Sequence, residues 1–527
     1  MQSTEEKINK DKRISIWEPG VLLLGIALAA LSAAICMQIM GQLGTAPNTS
    51  LIGAVLIMIF TRIPLASAKR FKNLERQNYV LSMASSAGFA AANCGFVAIA
   101  TMIILGKNDL IIPVAVGALI GSMVTVFIMG KVFDSKIFPA KGAWPMGQAV
   151  ATTIQAGDEG GKKGFQLLQG LVIGMAASFL GIPAAGIGIA FIANMVTMAA
   201  LAVGIILRGF SASLFNGFDI GQSNIAQGVM IGAGIVALVQ IIMAVSKGDK
   251  TRSKARDNET EEYTVSILQT KRTLAGSVGL FSIGAVILAA LTGIFSDMSV
   301  GMSIAWVVFA SAASLITMVL VGTASMHSGW APAFAVVAIC LTAGMLIGFP
   351  PIPLAALVGY IGSVGLPLAD TGIGLKAGWI IRGRGADKER ERYGRSQQII
   401  IKQFGVIVGI AMSLLFGIVL IGNDVIPPMS IFYANAIGEA VNQALLLELM
   451  LWAIPGAALQ AIFGNKSVGL MFATGLLINN PVFGITLMAS VVLRRIIGIK
   501  HMSVRGPGLI AGDGLFGFGL NIFRVFF

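Results

Sequence analysis

Polar and acidic side chains interrupt or closely flank several of the long apolar runs in this chain. Those with the most informative positions are Asn48, Asn216, Asp219, Gln222, Asn435, Glu439, Asn479 and Asp513. Polar groups in hydrocarbon are costly, so they are expected to face a cavity or one another. The pattern predicts an interior that contacts something polar.

The segment 211–227 contains one of the densest polar clusters beside an apolar run. If it is helical, Asn216, Asp219, Ser223 and Gln227 share one face. We expect this face to contact a substrate or a proton. The structural alternative is a hydrogen bond between two packed helices.

The acids Asp219, Glu439 and Asp513 are the candidates for proton coupling. Desolvation disfavours a charged carboxylate, so an acid at membrane depth can gain and lose a proton during a working cycle. A carboxylate at the membrane–water interface is the alternative for each of them. The candidates for substrate contact are Asn48, Asn216, Asp219, Gln222, Asn435 and Asn479.

The stretch APNTSLIGAVL, Ala46–Leu56, predicts a helix start. Pro47 has no N–H, and Asn48, Thr49 or Ser50 can cap the helix that follows. The free N–H groups of such a helix end suit a carboxylate or another anion. An ordinary capped helix in a solvent loop is the alternative.

The composition excludes an ordinary soluble protein. Of 527 residues, 56% are hydrophobic and 12% are charged, with a mean hydropathy of +0.85. A soluble chain carries about 25% charged residues. Runs such as Val21–Met40 and Ile225–Val245 approach the roughly 20 residues that a helix needs to cross the hydrocarbon. We predict an all-α polytopic membrane protein with about 14 to 17 membrane segments, half-helices included.

The longest polar segment predicts a division of the chain. We expect a cytoplasmic N-terminal tail at 1–18, a first membrane half at 19–246, a cytoplasmic linker at 247–272 and a second membrane half at 273–527. GLVIGMAAS at 170–178 is similar to GVIVGIAMS at 405–413. This similarity reflects either a two-fold internal repeat or chance in low-complexity membrane sequence.

The remaining chemistry is sparse. The net charge of +13 comes from basic residues in short loops, where they set topology, so we expect no nucleic-acid partner. Three cysteines and two histidines without ligand spacing predict no metal site, and no familiar catalytic motif is apparent. We therefore expect no cofactor and no enzymatic activity.

Five stretches, in this order along the chain, resemble the oligopeptide transporter (OPT) family, including its yellow-stripe-like branch. They are APNTSLIGAVL, RQNYVLSMASSAGFAAANCGF, GQAVATTIQAGDEGGKKGFQLLQGLVIG, ADTGIGLKAGWIIRGR with the downstream QQIIIKQFGVIVG, and GPGLIAGDGLFG. The resemblance implies proton-coupled secondary transport of peptides, modified peptides or metal chelates by a helical fold with broken helices. Compact length and short loops are similar to a prokaryotic member.

That resemblance implies a cytoplasmic-membrane location, with a small-molecule substrate, protons and the lipid bilayer as partners. We expect the N-terminus in the cytoplasm. The segment around Asp219 does not match the family residue by residue, so the choice between peptide and chelate stays open. A passive channel or pore for a small polar solute is the alternative function.

Overall fold

The computed structural model describes residues 14–44, 49–62, 71, 73–158, 162–192, 194–255, 263–328, 331, 333–438, 443–463, 468–498, 502 and 505–526. The first part of the chain forms α1 (Pro19–Leu43), α2 (Thr49–Arg62), α3 (Leu74–Phe89), α4 (Val97–Ile104), α5 (Ile111–Val132), α6 (Pro145–Asp158), α7 (Lys162–Phe179), α8 (Ala184–Ile192), α9 (Met195–Leu214) and α10 (Ile225–Ala255). A π-helical segment, Ala90–Phe96, joins α3 to α4 without a break.

The second part of the chain is also helical. It forms α11 (Ile267–Leu291), α12 (Ile294–Asp297), α13 (Val300–Ser328), α14 (Ala333–Ile347), α15 (Pro351–Ile381), α16 (Lys388–Gly422), α17 (Pro428–Gly438), α18 (Gln443–Phe463), α19 (Val468–Leu476), α20 (Pro481–Ile497) and α21 (Arg505–Phe526). The all-α prediction is confirmed.

Within the described ranges, eight helices are long and apolar enough to cross a membrane. They are Pro19–Gln42, Leu74–Ile104, Asn108–Val132, Met195–Leu214, Ile267–Leu291, Val300–His327, Pro351–Ile381 and Lys388–Gly422. Four shorter apolar helices accompany them. The chain is therefore a multi-pass membrane protein, whereas the larger number of segments and the two-fold repeat stay predictions.

Two of these helices form the centre of the bundle. In Leu74–Ile104 and Pro351–Ile381, 89% of the most apolar stretch is buried, against 33–56% in the other six. The outer helices expose large apolar side chains, among them Leu23 and Val300. An apolar exterior of this kind is what lipid solvates, so polar groups concentrate on the two central helices and their neighbours.

One of our expectations for local structure was wrong. The segment 211–227 is not one helix, because α9 ends at Leu214 and the chain turns before a 3₁₀ helix at Ile220–Gln222. Asp370 lies inside α15, which continues to Ile381. A break at residues 477–480 separates α19 from α20. The start of the linker, up to Ala255, is helical.

Glycine allows several helix pairs to pack backbone against backbone. In the contact of α7 with α21, a Cβ atom at Gly170 would meet the carbonyl oxygen of Arg505, and one at Gly512 would meet that of Leu171. Small residues at such positions are typical of membrane helix interfaces. The four-residue spacing of Gly170 and Gly174, and of Gly508 and Gly512, keeps these residues on one face of each helix.

We expect Gly512→Ala to destabilise the protein by about 1–3 kcal/mol, because its methyl group overlaps the backbone of α7. Gly519→Ala on the same helix is the matched control, since nothing lies within 4 Å of a Cβ there. The control should be neutral or slightly stabilising. The measurement is thermal unfolding in detergent, and equal midpoints for the two variants would contradict this packing.

Candidate functional site

A cavity of about 350 Å³ lies where several helices end. Its wall takes residues from the C-terminal end of α1, the first turns of α10 and α17, and the breaks that precede α17 and α20. The polar side chains that matter most are Arg208, Gln227, Asp424, Asn435, Asn479 and Asn480. Irregular backbone at membrane depth is tolerated where it lines such a cavity.

The break before α20 is built by three consecutive residues. Asn480 caps the helix, because its Oδ1 accepts a hydrogen bond of 3.0 Å from the Phe483 N–H. Pro481 has no N–H to satisfy in the first turn. Asn479 stays outside the helix and is exposed on the cavity wall. The positive end of the helix dipole therefore lies beside the cavity.

An ion pair fixes the cationic side of the wall. Arg208 near the end of α9 donates from Nη1 to Oδ1 of Asp219. The same oxygen accepts from the Gly221 N–H at 2.9 Å, which holds the 3₁₀ turn against the helix. The side chains of Arg208 and Asp219 are 13% and 26% exposed, so the pair lies at the edge of the cavity.

Asp424 supplies an acid to the same wall. It follows α16 in a left-handed conformation, with φ of 60°, and its side chain is exposed. The neighbouring Val425 packs against Gly41 so closely that a Cβ at Gly41 would collide with its side chain. This contact joins the end of α1 to the loop after α16.

A second cavity of about 280 Å³ shares Gln42 and Asn480 with the first. Asp513 on α21 lines it and is 1% exposed. Its Oδ2 accepts a hydrogen bond of 2.7 Å from the Ala185 N–H in the first turn of α8. The carboxyl group therefore satisfies a helix N-terminus and lines a cavity that shares two wall residues with the first cavity.

The structure brings together a subset of the predicted site residues. Asn435 and Asn479 line the first cavity, Asp219 pairs with Arg208 on its wall, and Asp513 lines the second. Asn216 lies in an exposed turn with φ of 53°, away from both walls. Gln222 ends the 3₁₀ helix. Asn48 and Glu439 lie outside the described residues. The roles of all eight residues stay predictions.

Sequence reasoning missed Arg208, Asp424 and Asn480 as wall residues. Arg208 had a usable signal, because it is a single cation near the end of an otherwise apolar helix. Asp424 had no usable sequence signal, because an acid in a loop between two spans is ordinarily exposed to solvent. Asn480 follows the predicted contact Asn479 directly, but the cavity that its side chain lines is set by the packing of α20.

The cavity lies at the side of the bundle opposite the charged loop 382–387, which joins α15 to α16. The N-terminal end of α1 is near that loop, where the Ile16 N–H donates to Gln397 Oε1 at 3.0 Å. Its C-terminal residues, Gly41 and Gln42, reach the cavity. In the same way α16 begins after the charged loop and ends just before Asp424. Both helices run from the charged loop to the cavity, so the loop and the cavity lie at opposite ends of a membrane helix.

Fold and site together define a class: a multi-pass helical membrane protein with broken helices around a polar cavity, as in proteins that move solutes. Residues 19–248 match the family model described as OPT oligopeptide transporter protein. The match supports the family resemblance over this part of the chain. No curated protein matches the chain.

We expect the first cavity to contain water, so cysteines placed in its wall should react with a membrane-impermeant thiol reagent. In a background with Cys36, Cys94 and Cys340 replaced by alanine, Asn435→Cys and Asn479→Cys should be modified from one side of the membrane only.

Ile454→Cys is the control for the labelling experiment. Ile454 on α18 is 66% exposed on the apolar exterior. A thiol there should remain in lipid and stay unmodified, because ionisation is disfavoured without water. Equal labelling of all three positions, or none at Asn435→Cys and Asn479→Cys, would contradict a water-filled cavity.

Proposed function

We propose that the protein is a secondary active transporter that carries oligopeptides and uses the cavity of about 350 Å³ as its substrate site. The observation that carries this proposal is the combination of opposite charges and amides on one cavity wall. Ligand cavities are typically about 300–1,000 Å³, so this one suits a small peptide or a few residues of a longer one. The match of residues 19–248 to the transporter family model supports the same conclusion.

The chemistry of the wall fits a zwitterion. The free carboxylate of a peptide would lie near Arg208 and the N-terminal ends of α17 and α20, where cationic and dipolar groups favour an anion. The ammonium group would lie toward Asp424. The amides of Asn435 and Asn479 both donate and accept hydrogen bonds, as peptide groups require.

A metal chelate is the second candidate substrate. Chelators of iron or nickel carry carboxylates, which the same helix ends and Arg208 would attract. The metal would enter as cargo held by the chelator. Among the described residues no group of three or more His, Cys, Asp or Glu side chains is arranged to take it over.

A carrier fits the interior better than a passive pore. Between the cavity and the charged loop, the central helices are packed with buried apolar side chains, including Met83 and Ile401. An alternating-access cycle would open this region as the cavity closes. By the positive-inside rule the charged loop would be cytoplasmic, and the cavity would then face the outside.

We further propose that transport is coupled to protons in the cytoplasmic membrane. Asp513 is buried beside the second cavity, and Asp219 is the ion-pair partner of Arg208, which lines the first. Both remain candidates for carrying the coupled proton, together with Glu439. We also propose that the protein is of prokaryotic origin and is related to the yellow-stripe-like branch of the family.

We expect purified protein in liposomes to accumulate substrate when the outside is acidic. The test panel consists of alanine peptides of three to five residues and citrate chelates of iron and nickel. For one coupled proton, one pH unit supports about tenfold accumulation. Uptake should saturate, and a protonophore should abolish accumulation.

The competing functions predict different kinetics. A passive pore would give uptake that rises linearly with concentration and stops at equal concentrations on both sides. Uptake that saturates but does not depend on the pH gradient would contradict proton coupling. It would still be consistent with a carrier. No uptake of any probe, by protein that remains folded and monodisperse, would contradict peptide or chelate transport.

We expect Arg208→Gln to remove the preference for a free carboxylate. Wild-type protein should bind tetra-alanine at least about tenfold more tightly than its C-terminal amide, because hydrogen bonds to charged groups contribute about 1.5–3 kcal/mol. Arg208→Gln should bind the two ligands equally. Asp219→Asn keeps the guanidinium and should keep the preference. Ligand-dependent thermal shifts give the affinities, and an unchanged preference in Arg208→Gln would contradict the assigned carboxylate contact.

A further inference from the structure

A buried ion pair lies at the centre of the bundle, away from both cavities. The ammonium of Lys402 on α16 donates to Oδ2 of Asp370 on α15. The two side chains are 0% and 1% exposed. No candidate role above includes either residue, and a buried charged pair within membrane helices is a functional-site hypothesis by default.

Hydroxyl groups from two other helices converge on the same carboxylate. Asp370 Oδ1 accepts a hydrogen bond of 3.1 Å from Ser50 in the first turn of α2 and another from Ser85 on α3. The Oγ atoms of Ser50 and Ser85 are hydrogen-bonded to each other at 2.7 Å, and Thr49 Oγ1 is hydrogen-bonded to Ser85 Oγ at 3.2 Å. The carboxylate thus joins four helices, and it occupies the helix end at which the sequence predicted an anion.

The ionisable groups that face Asp370 are few. Among the described residues they are the ammonium of Lys402 and the thiol of Cys36 on α1, which interacts electrostatically with Asp370. Helices α2 and α3 contribute hydroxyls only. A proton that reached this cluster would therefore have one carboxylate to bind, that of Asp370, whose charge is balanced by the ammonium of Lys402.

The pair lies well within the apolar span that α15 forms. Asp370 precedes Arg382 at the end of α15 by twelve residues, which is about 18 Å of helix. The hydrocarbon core is about 30 Å thick. On the other side, Cys36 is six residues, or about 9 Å, from Gln42 on the wall of the first cavity. The pair therefore stands between the cavity and the charged loop.

Polar side chains continue from the pair toward the charged loop. The Gln398 amide, one turn before Lys402, donates to Ser82 Oγ at 3.0 Å and to the Gly374 carbonyl at 2.8 Å. Nearby, the side-chain amide of Asn78 is 1% exposed and has no hydrogen-bond partner among the described residues. An orphaned buried amide of this kind indicates a position for water.

The helices around the pair contain two irregularities that suit a moving part. Pro367 interrupts the hydrogen bonding of α15 one turn before Asp370, and Ser122 on α5 donates to the carbonyl of Ser363 that Pro367 leaves free, at 3.2 Å. The π-helical segment Ala90–Phe96 begins one turn after Ser85. Such segments are frequent at functional sites.

From this geometry we infer that Asp370 binds the transported proton and that Lys402 is its ion-pair partner, in a step that rests on the proposed proton-coupled transport. A proton adds to a carboxylate oxygen of Asp370 and neutralises it. The ammonium of Lys402 is then an unpaired charge in the membrane interior, which strongly disfavours this packing of α15 against α16. The helices separate, the cavity closes to one side, and loss of the proton to the other side restores the pair.

The test uses Asp370→Asn, which resembles the protonated acid, and the double variant Asp370→Asn with Lys402→Met, which also removes the unpaired ammonium. In liposomes with tetra-alanine as the probe, the double variant should exchange labelled for unlabelled peptide. It should fail to accumulate peptide under a pH gradient, so that the inside-to-outside ratio falls to unity. Asp370→Asn alone should also fail to accumulate peptide where it folds.

Glu391→Gln is the matched control. Glu391 and Arg382 form an equally buried ion pair, at 2% and 0% exposure and 2.8 Å, next to the charged loop. This variant should still accumulate peptide. Accumulation by the double variant at the wild-type level, or loss of accumulation in the control as well, would overturn the proton-binding role and leave Asp370–Lys402 as a structural contact.

A second measurement does not depend on the substrate. Infrared difference spectra between acidic and neutral pH should show the C=O band of a protonated carboxylic acid that disappears in the double variant. If wild-type protein transports no probe, the proposed function fails, and the presence of this band still supports proton binding at Asp370. Absence of any band that depends on Asp370 would overturn the inference whether or not wild-type protein transports peptide.

Discussion

The absence of water from the membrane interior is the constraint on which this structure depends. Every backbone group and charged side chain there must find its partner within the protein or border a wet cavity. The apolar outer helices meet this condition by forming complete helical hydrogen bonds. Breaks between helices and charged side chains line the cavity walls, and at the centre Asp370 and Lys402 satisfy each other.

The same constraint explains why the helices pack so closely. Lipid tails are as apolar as leucine side chains, so burial alone does not hold membrane helices together. Glycines bring backbones into contact, as in the pairing of α7 with α21, and dispersion forces then act over the whole interface. A close-packed interface has few intermediate arrangements, which favours a small number of discrete states over continuous deformation.

Cavity and ion pair occupy different levels of the bundle. The cavity offers opposite charges and amides to a zwitterion at one side of the membrane, whereas the ion pair lies about midway along α15 and α16. Coupling between two such sites requires a shared element with two arrangements. Helix α1 is well placed for this, because Gln42 lines the cavity and Cys36 faces Asp370. In the transport cycle that we propose, the separation of the sites would allow substrate and proton to bias one conformational equilibrium from two positions.

The sequence alone determined that the protein lies in a lipid bilayer and that its fold is all-α. Apolar runs of membrane-spanning length leave helices as the structure that satisfies the backbone in lipid, and breaks such as 479–481 follow from residues that cannot continue a helix. The polar character of the interior also followed from single residues such as Asn435.

Tertiary structure decided which polar residues meet. The expected helical face through Asn216 and Asp219 does not form, because α9 ends at Leu214 and Asp219 turns back to Arg208. Asp370 and Lys402 are separated by a charged loop in the sequence and meet only because α15 and α16 pack side by side. The spacing and type of residues along the chain indicate which side chains must avoid lipid. The partners of those side chains lie far apart in the sequence, and helix packing brings them together, which no local pattern encodes.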